Sequence, residues 1–156
     1  MRSSRQREII NLAKGLVLEK GFYAMSYQDL SDLLSITKAS IHGHFRTKEK
    51  LGNAILECAI AEMVAYWETE HEAPRRQIER LLDNYEHMSH TRRNMCLVSV
   101  LQGEYDLLPA TMQNLLNNYN RTYIQYAADA LNRARQAGTM SFSEPARDKA
   151  ISRAPS

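Results

Sequence analysis

Apolar residues recur every three or four positions through most of the 156-residue chain, and glycine and proline are scarce. That period belongs to amphipathic helices, not to strands. The first stripe, Ile9, Ile10, Ala13, Leu16 and Val17, predicts a helix from Gln6 to Glu19 that Gly21 stops. Ser26 and Asp29 stand at capping-box spacing, with Asp in place of the usual Glu or Gln, and open a second helix whose apolar side is Leu30, Leu33 and Leu34. Ser35 and Ile36 break it. Thr37 caps a short third helix that carries Ala39, Ile41 and His42 and ends near Phe45, and Thr47 caps a much longer fourth reaching about Glu70. Further helices are expected from Arg75 to Ser89, from Cys96 to Tyr105 and from Pro109 to Gln136, the last stopped by Gly138. One short turn from Glu144 to Ile151 precedes a polar tail.

The pattern therefore predicts an all-α protein in which two very short helices sit between two longer ones. Residues 1–50 form a three-helix unit containing a helix-turn-helix, and residues 51–156 a second helical unit. Charge supports the division. Residues 1–50 hold nine Lys/Arg against five Asp/Glu, whereas residues 51–156 hold eleven against thirteen, so the front carries +4 and the rest −2. A positive front favours a polyanionic partner. No apolar run approaches the roughly 18 residues of a membrane span, and the polar start "MRSSRQREII" lacks the apolar centre of a secretion signal, so a cytoplasmic protein without a membrane partner is expected.

The segment "SITKASIHGHFRTKEKL" concentrates the candidate chemistry. On a helix His42 and His44 lie roughly 200° apart around the axis, which prevents them from gripping one ion from the same face. No paired CxxC, HExxH or EF-hand spacing occurs, and Cys58 and Cys96 share no metal-like spacing. Neither a metal nor another cofactor is expected. Catalysis finds no support either, because the chain has no nucleophile elbow, no Gly-rich nucleotide loop and no partnered nucleophile. A helix-turn-helix gives these residues a use: its second helix enters the major groove of double-stranded DNA while its neighbours hold the backbone. Ser40, His42 and His44 then point toward DNA, and Lys38, Lys48 and the capped N-terminus at Thr47 meet phosphates. Ile41 and Phe45 face inward with Leu30, Leu33 and Ile10.

The whole stretch "QREIINLAKGLVLEKGFYAMSYQDLSDLLSITKASIHGHFRTKEKL" resembles the DNA-binding domain of the TetR family of bacterial transcriptional regulators, through "EKGF", the aspartate of the second helix and the "K…HF.TKE.L" passage. The resemblance implies an all-helical homodimer that is not an enzyme and that represses transcription from operator DNA until a small molecule releases it. It implies that Lys38 starts the recognition helix, that Ser40 touches DNA, that His42 packs on phosphate or base edges, and that His44 and Lys48 contact phosphate. Tyr27 and Gln28 occupy second-helix positions that approach the operator in several members. Gly43 departs from the pattern, where a bulky residue is usual, and so does Ser35, where the turn normally carries glycine.

In the second half, "RRNMCLVSVLQGEYDLLP" resembles the sixth-helix region of a subset of these regulators, where a cysteine opens the helix and a glutamate followed by "LP" closes it. The family's ligand pocket falls on Met63, Trp67, Tyr85, Met88, Cys96, Tyr119 and Tyr123, a mixture that suits an apolar or aromatic effector, although Tyr119, Tyr123 and Tyr126 form one stripe that suits ordinary helix packing slightly better. Cys96, near a helix start and beside Arg92 and Arg93, is a candidate sensor thiol, with a buried, inert core cysteine as the favoured alternative. The alternative function is accordingly a helical ligand-binding or cysteine-based redox or electrophile-responsive protein with weakened or lost DNA binding. An eighth helix is at best begun at Pro145 and the family's ninth is absent, which leaves the end of the long helix, around Tyr126, Leu131 and Ala134, as the expected pairing surface.

Overall fold

The computed structural model describes residues 2–68, 76–79 and 97–151. In order along the chain are α1 (Ser4–Ala24), α2 (Tyr27–Leu34), α3 (Lys38–His44), α4 (Lys48–Glu68), helical residues 76–79 (α5), α6 (Leu97–Gly103), a 3-10 turn (Tyr105–Leu107), α7 (Ala110–Gln136) and α8 (Ala146–Ile151). No strand occurs among the described residues. Most of the expected helix from Arg75 to Ser89 lies outside them.

Helix α1 begins two residues earlier than its apolar stripe suggests, because Ser3 and Gln6 make a reciprocal capping box: Gln6 N–H donates to Ser3 Oγ at 3.2 Å and Ser3 N–H to Gln6 Oε1 at 2.9 Å. Its apolar stripe is buried as expected. Gly21 interrupts α1 with φ 85° and ψ 163°, and one further turn follows before Met25. The expected Ser26–Asp29 box caps α2.

The buried side of α2 is Tyr27 and Leu30, with Leu34 half-buried. Leu33, expected to face inward, is 57% exposed. The inner stripe runs i, i+3, i+7 from Tyr27, a residue large enough to fill the space under α3, and this turns Leu33 outward. Ser35 ends α2 in the left-handed region, φ 51° and ψ 40°. Thr37 caps α3 by accepting from Ser40 N–H at 3.2 Å, and Ile41 and Phe45 are buried.

Helix α4 carries the chain out of this three-helix head and into the body. Leu51, Ile55 and Leu56 are fully or almost fully buried, as are Leu101 on α6 and Met112 and Leu116 on α7. Each such side chain contributes about 1.5–3 kcal/mol. One apolar cluster joins Ile9 and Ile10 of the head to Leu116 and Leu131 of the body. At the crossing point Gly52 has no room for a side chain: a Cβ would lie 2.5 Å from Met112 Sδ and 2.7 Å from the Phe22 ring.

The end of α7 differs from expectation. Leu131 and Ala134, read from sequence as a surface for a second copy, are buried within the chain, together with Ala127, Ala128 and Ala130. Helix α8 packs on α7, and its Ala146 and Ala150 are buried too, small residues on both helices permitting close approach. Tyr126 alone of that expected surface keeps partial exposure.

Ser35 carries a Cβ where left-handed backbone disfavours one. Ser35→Gly should raise stability in urea unfolding by about 0.5–1 kcal/mol, and an unchanged or lower midpoint would show that the Ser35 side chain compensates for its backbone.

Candidate nucleic-acid interface

The head presents its polar residues from a frame fixed by apolar ones. Tyr27, expected near the operator, is 9% exposed, and its hydroxyl donates to the Phe45 carbonyl at 2.8 Å. This bond joins the start of α2 to the end of α3. Burial pushes the Tyr27 phenol up to about 12, so it stays protonated and remains a donor. The His42 ring lies against it, centroids 4.5 Å apart, with His42 Nδ1 3.3 Å from the Arg46 carbonyl. His42 is nevertheless exposed, as are Lys38 and Ser40 on the same short helix and Gln28 on α2. Gln28 Nε2 donates to Asp32 Oδ1 at 2.6 Å. His44 is half-buried.

Around Gly43 the space is open, so this departure from the usual bulky residue leaves a gap in the exposed row. Thr47 caps α4, accepting from Lys50 N–H at 3.1 Å. Lys48 is half-buried: Nζ donates to the Tyr23 carbonyl at 2.8 Å and sits 4.9 Å from the Phe22 ring centroid. Burial holds its pKa below the ordinary lysine value, opposed by the carboxylates of Glu104 and Asp29. Asp29 is drawn down to about 2, first by its hydrogen bond with Lys20, 2.7 Å away, and then by Ser26. Lys48, Tyr23, Met25, Ser26, Tyr27 and His42 border an open cleft of about 400 Å³ between the α1–α2 corner and α3.

The pocket residues are only partly placed. Tyr119 and Tyr123 are buried on α7, and Met63 is half-buried against the same apolar cluster. The side chain of Trp67, together with Tyr85, Met88 and Cys96, lies outside the described residues. Among the described residues no group of three or more His, Cys, Asp or Glu could hold a metal ion, and no helix is long and apolar enough to cross a membrane. Cys58 is half-buried, and the Arg2 guanidinium donates to its sulfur at 2.8 Å. The glutamate that closes the sixth helix by resemblance is Glu104, and its carboxylate accepts from Phe22 and Tyr23 N–H, partners the sequence did not indicate.

Residues 9–55 match the profile of the family described as bacterial regulatory proteins, tetR family. The N-terminal region of this chain is similar to the N-terminal domain of that family. No curated protein matches the chain. Solved structures extend the likeness of fold to nearly all of it. A TetR-family transcriptional regulator from Agrobacterium tumefaciens superposes with a TM-score of 0.83 at 24% identity, over 95% of this chain and 80% of that one. The reduced form of NemR from E. coli gives 0.80 at 22%, over 94% and 79%. AibR, solved with isovaleryl coenzyme A and operator DNA, gives 0.70 at 22%, over 96% and 81%. Over its described residues the chain therefore shares the overall helical fold of these structures.

A raised phenol pKa links to stability with a definite sign. The folded chain keeps a proton that the unfolded chain loses above the ordinary value of 10, so Tyr27 stabilises fully below pH 10 and its contribution fades between pH 10 and about 12. Tyr27→Phe should cost about 0.5–1.5 kcal/mol at neutral pH and flatten the alkaline limb of the stability curve. A limb of unchanged steepness in urea unfolding from pH 8 to 11 would contradict the buried, bonded phenol.

Proposed function

We propose that this chain is a ligand-responsive transcriptional regulator that binds operator DNA as a homodimer through a head at residues 1–50 and is released, as a repressor, by a small molecule held in the body at residues 51–156. The observation that carries the reading is the head itself. Tyr27, Leu30, Ile41 and Phe45 are spent on holding α2 to α3, which leaves Gln28, Lys38, Ser40 and His42 exposed on a helix-turn-helix frame. A three-helix unit built this way serves to insert one short helix into the major groove.

Roles follow from placement. Gln28, Ser40 and His42 read base edges, while Lys38, His44 and the N-terminus of α4 at Thr47 and Lys48 hold phosphates. Tyr27 sets the His42 ring and the angle of α3 from beneath. In the body, Tyr119, Tyr123 and Met63, with Trp67, Tyr85, Met88 and Cys96, form the wall of an effector site suited to an apolar or aromatic molecule. The AibR complex, with an acyl coenzyme A and operator DNA, supports a regulator that answers to a small molecule. The pairing surface draws on Tyr126 and the exposed residues of α7 and α8, since Leu131 and Ala134 are already buried.

Binding to duplexes from the chain's own upstream region and to random duplexes, measured by fluorescence anisotropy across a salt series, tests the assignment. Ser40→Ala and His42→Ala should each weaken the upstream duplex by about 1–3 kcal/mol while changing random DNA little. Lys38→Ala should weaken both alike and reduce the salt slope by about one. Equal losses on both DNAs for all three variants would remove the base-reading face.

A further inference from the structure

The head is tied to the body by a carboxylate. Glu104 directly follows the last residue of α6, and its Oε2 accepts from the backbone N–H groups of Phe22 at 2.8 Å and Tyr23 at 3.3 Å. Those amides open the last turn of α1 after Gly21 has broken the helix. A restarted turn has N–H groups without partners on the turn before, and an anionic oxygen is a strong acceptor for them. Gly21 serves this arrangement twice. Its φ of 85° is strained for any side-chain-bearing residue, and a Cβ there would overlap Glu104 Oε1.

Lys48 holds the same turn through a different backbone group, donating to the Tyr23 carbonyl. A residue of the body thus holds two amides of one short segment and a residue of α4 holds a carbonyl of it. That segment runs straight into Met25 and Ser26, which border the DNA-facing cleft.

We propose that Glu104 is a positioning residue for DNA binding: from the end of α6 its carboxylate fixes the α1–α2 corner, and through Tyr23 it sets the direction of Lys48 and the angle of the head on the body. The inference rests on the reading of this chain as a DNA-binding regulator. Glu104 acts through the corner, not on DNA. Its removal leaves the core of the head, Leu30 and Ile41, intact and frees the corner from α6.

Two readouts on the full chain test it with Glu104→Ala, which removes the acceptor, and Glu104→Gln, which keeps one carbonyl oxygen. In amide hydrogen exchange followed by NMR, Phe22 and Tyr23 should exchange at least about tenfold faster in Glu104→Ala. The Phe45 amide, bonded to the Ile41 carbonyl within the head, should keep its protection, and Glu104→Gln should restore most of the loss at residues 22 and 23. In anisotropy with the upstream duplex, Glu104→Ala should bind about tenfold more weakly and Glu104→Gln about two- to threefold. Unchanged exchange at Phe22 and Tyr23, faster exchange with unaltered DNA affinity, or a glutamine variant as impaired as the alanine one each overturns the proposal. A wild type that binds no DNA overturns the regulator reading instead, and the exchange comparison then decides on the Glu104 tie by itself.

Discussion

The bare backbone of Gly52 is where the two parts of the chain meet. The Phe22 ring from the end of α1 and Met112 from the start of α7 press on the same spot of α4, and a methyl group there would intrude on both. Because α4 begins at the candidate DNA surface and continues into the body, this contact fixes the head and the body on one helix at once. Around it, Thr111 donates to Glu49 at 2.7 Å and accepts from Asn53 at 2.9 Å, binding the first turn of α7 to the first turns of α4. Lys14 of α1 pairs with Glu62 further along α4 at 2.6 Å. The apolar contact sets distance, and the polar ones set rotation.

Part of the positive front is consumed in building the head. Lys20 holds Asp29 and its cap, Lys14 reaches α4, Arg5 pairs with Glu8 at 2.6 Å, and Arg2 meets Glu57 at 2.5 Å. Solvent-reached pairs of this kind orient the helices more than they stabilise them. Lys48 is half withdrawn into the α1–α2 corner. Lys38, Arg46 and Lys50 remain exposed, a compact set of cations around α3, and in the proposed reading the charge of this small region governs attraction to phosphate more than the net +2 of the chain does.

The helices of the head were legible in the sequence because their signals are local. Ser26 with Asp29, Thr37 and Thr47 each cap the helix that follows, and Ile9, Ile10, Ala13, Leu16 and Val17 are buried at the spacing that announced them. Ser35 sits at positive φ, at the turn position where the resemblance normally has glycine. Leu33 misled because a stripe of leucines does not reveal that Tyr27, outside the stripe, fills the same space. Leu131 and Ala134 misled for a similar reason: a face of small residues accepts α8 of its own chain as readily as a second copy. Glu104 was visible as the close of the sixth helix, but its tie to α1 was not, because its partners are backbone amides distant in sequence and a backbone donor carries no residue type to read. The pocket is the least legible part, since aromatic side chains at helical spacing suit a packed core and a ligand wall alike.

The central claim is that this rigid head reads DNA in pairs. Footprinting on the DNA upstream of the chain's own coding sequence tests it most directly. Two protected half-sites related by a two-fold axis, with centres about one helical turn or a multiple of it apart, are the predicted result. Protection of a single half-site, or none at concentrations where random DNA is already bound, would contradict it.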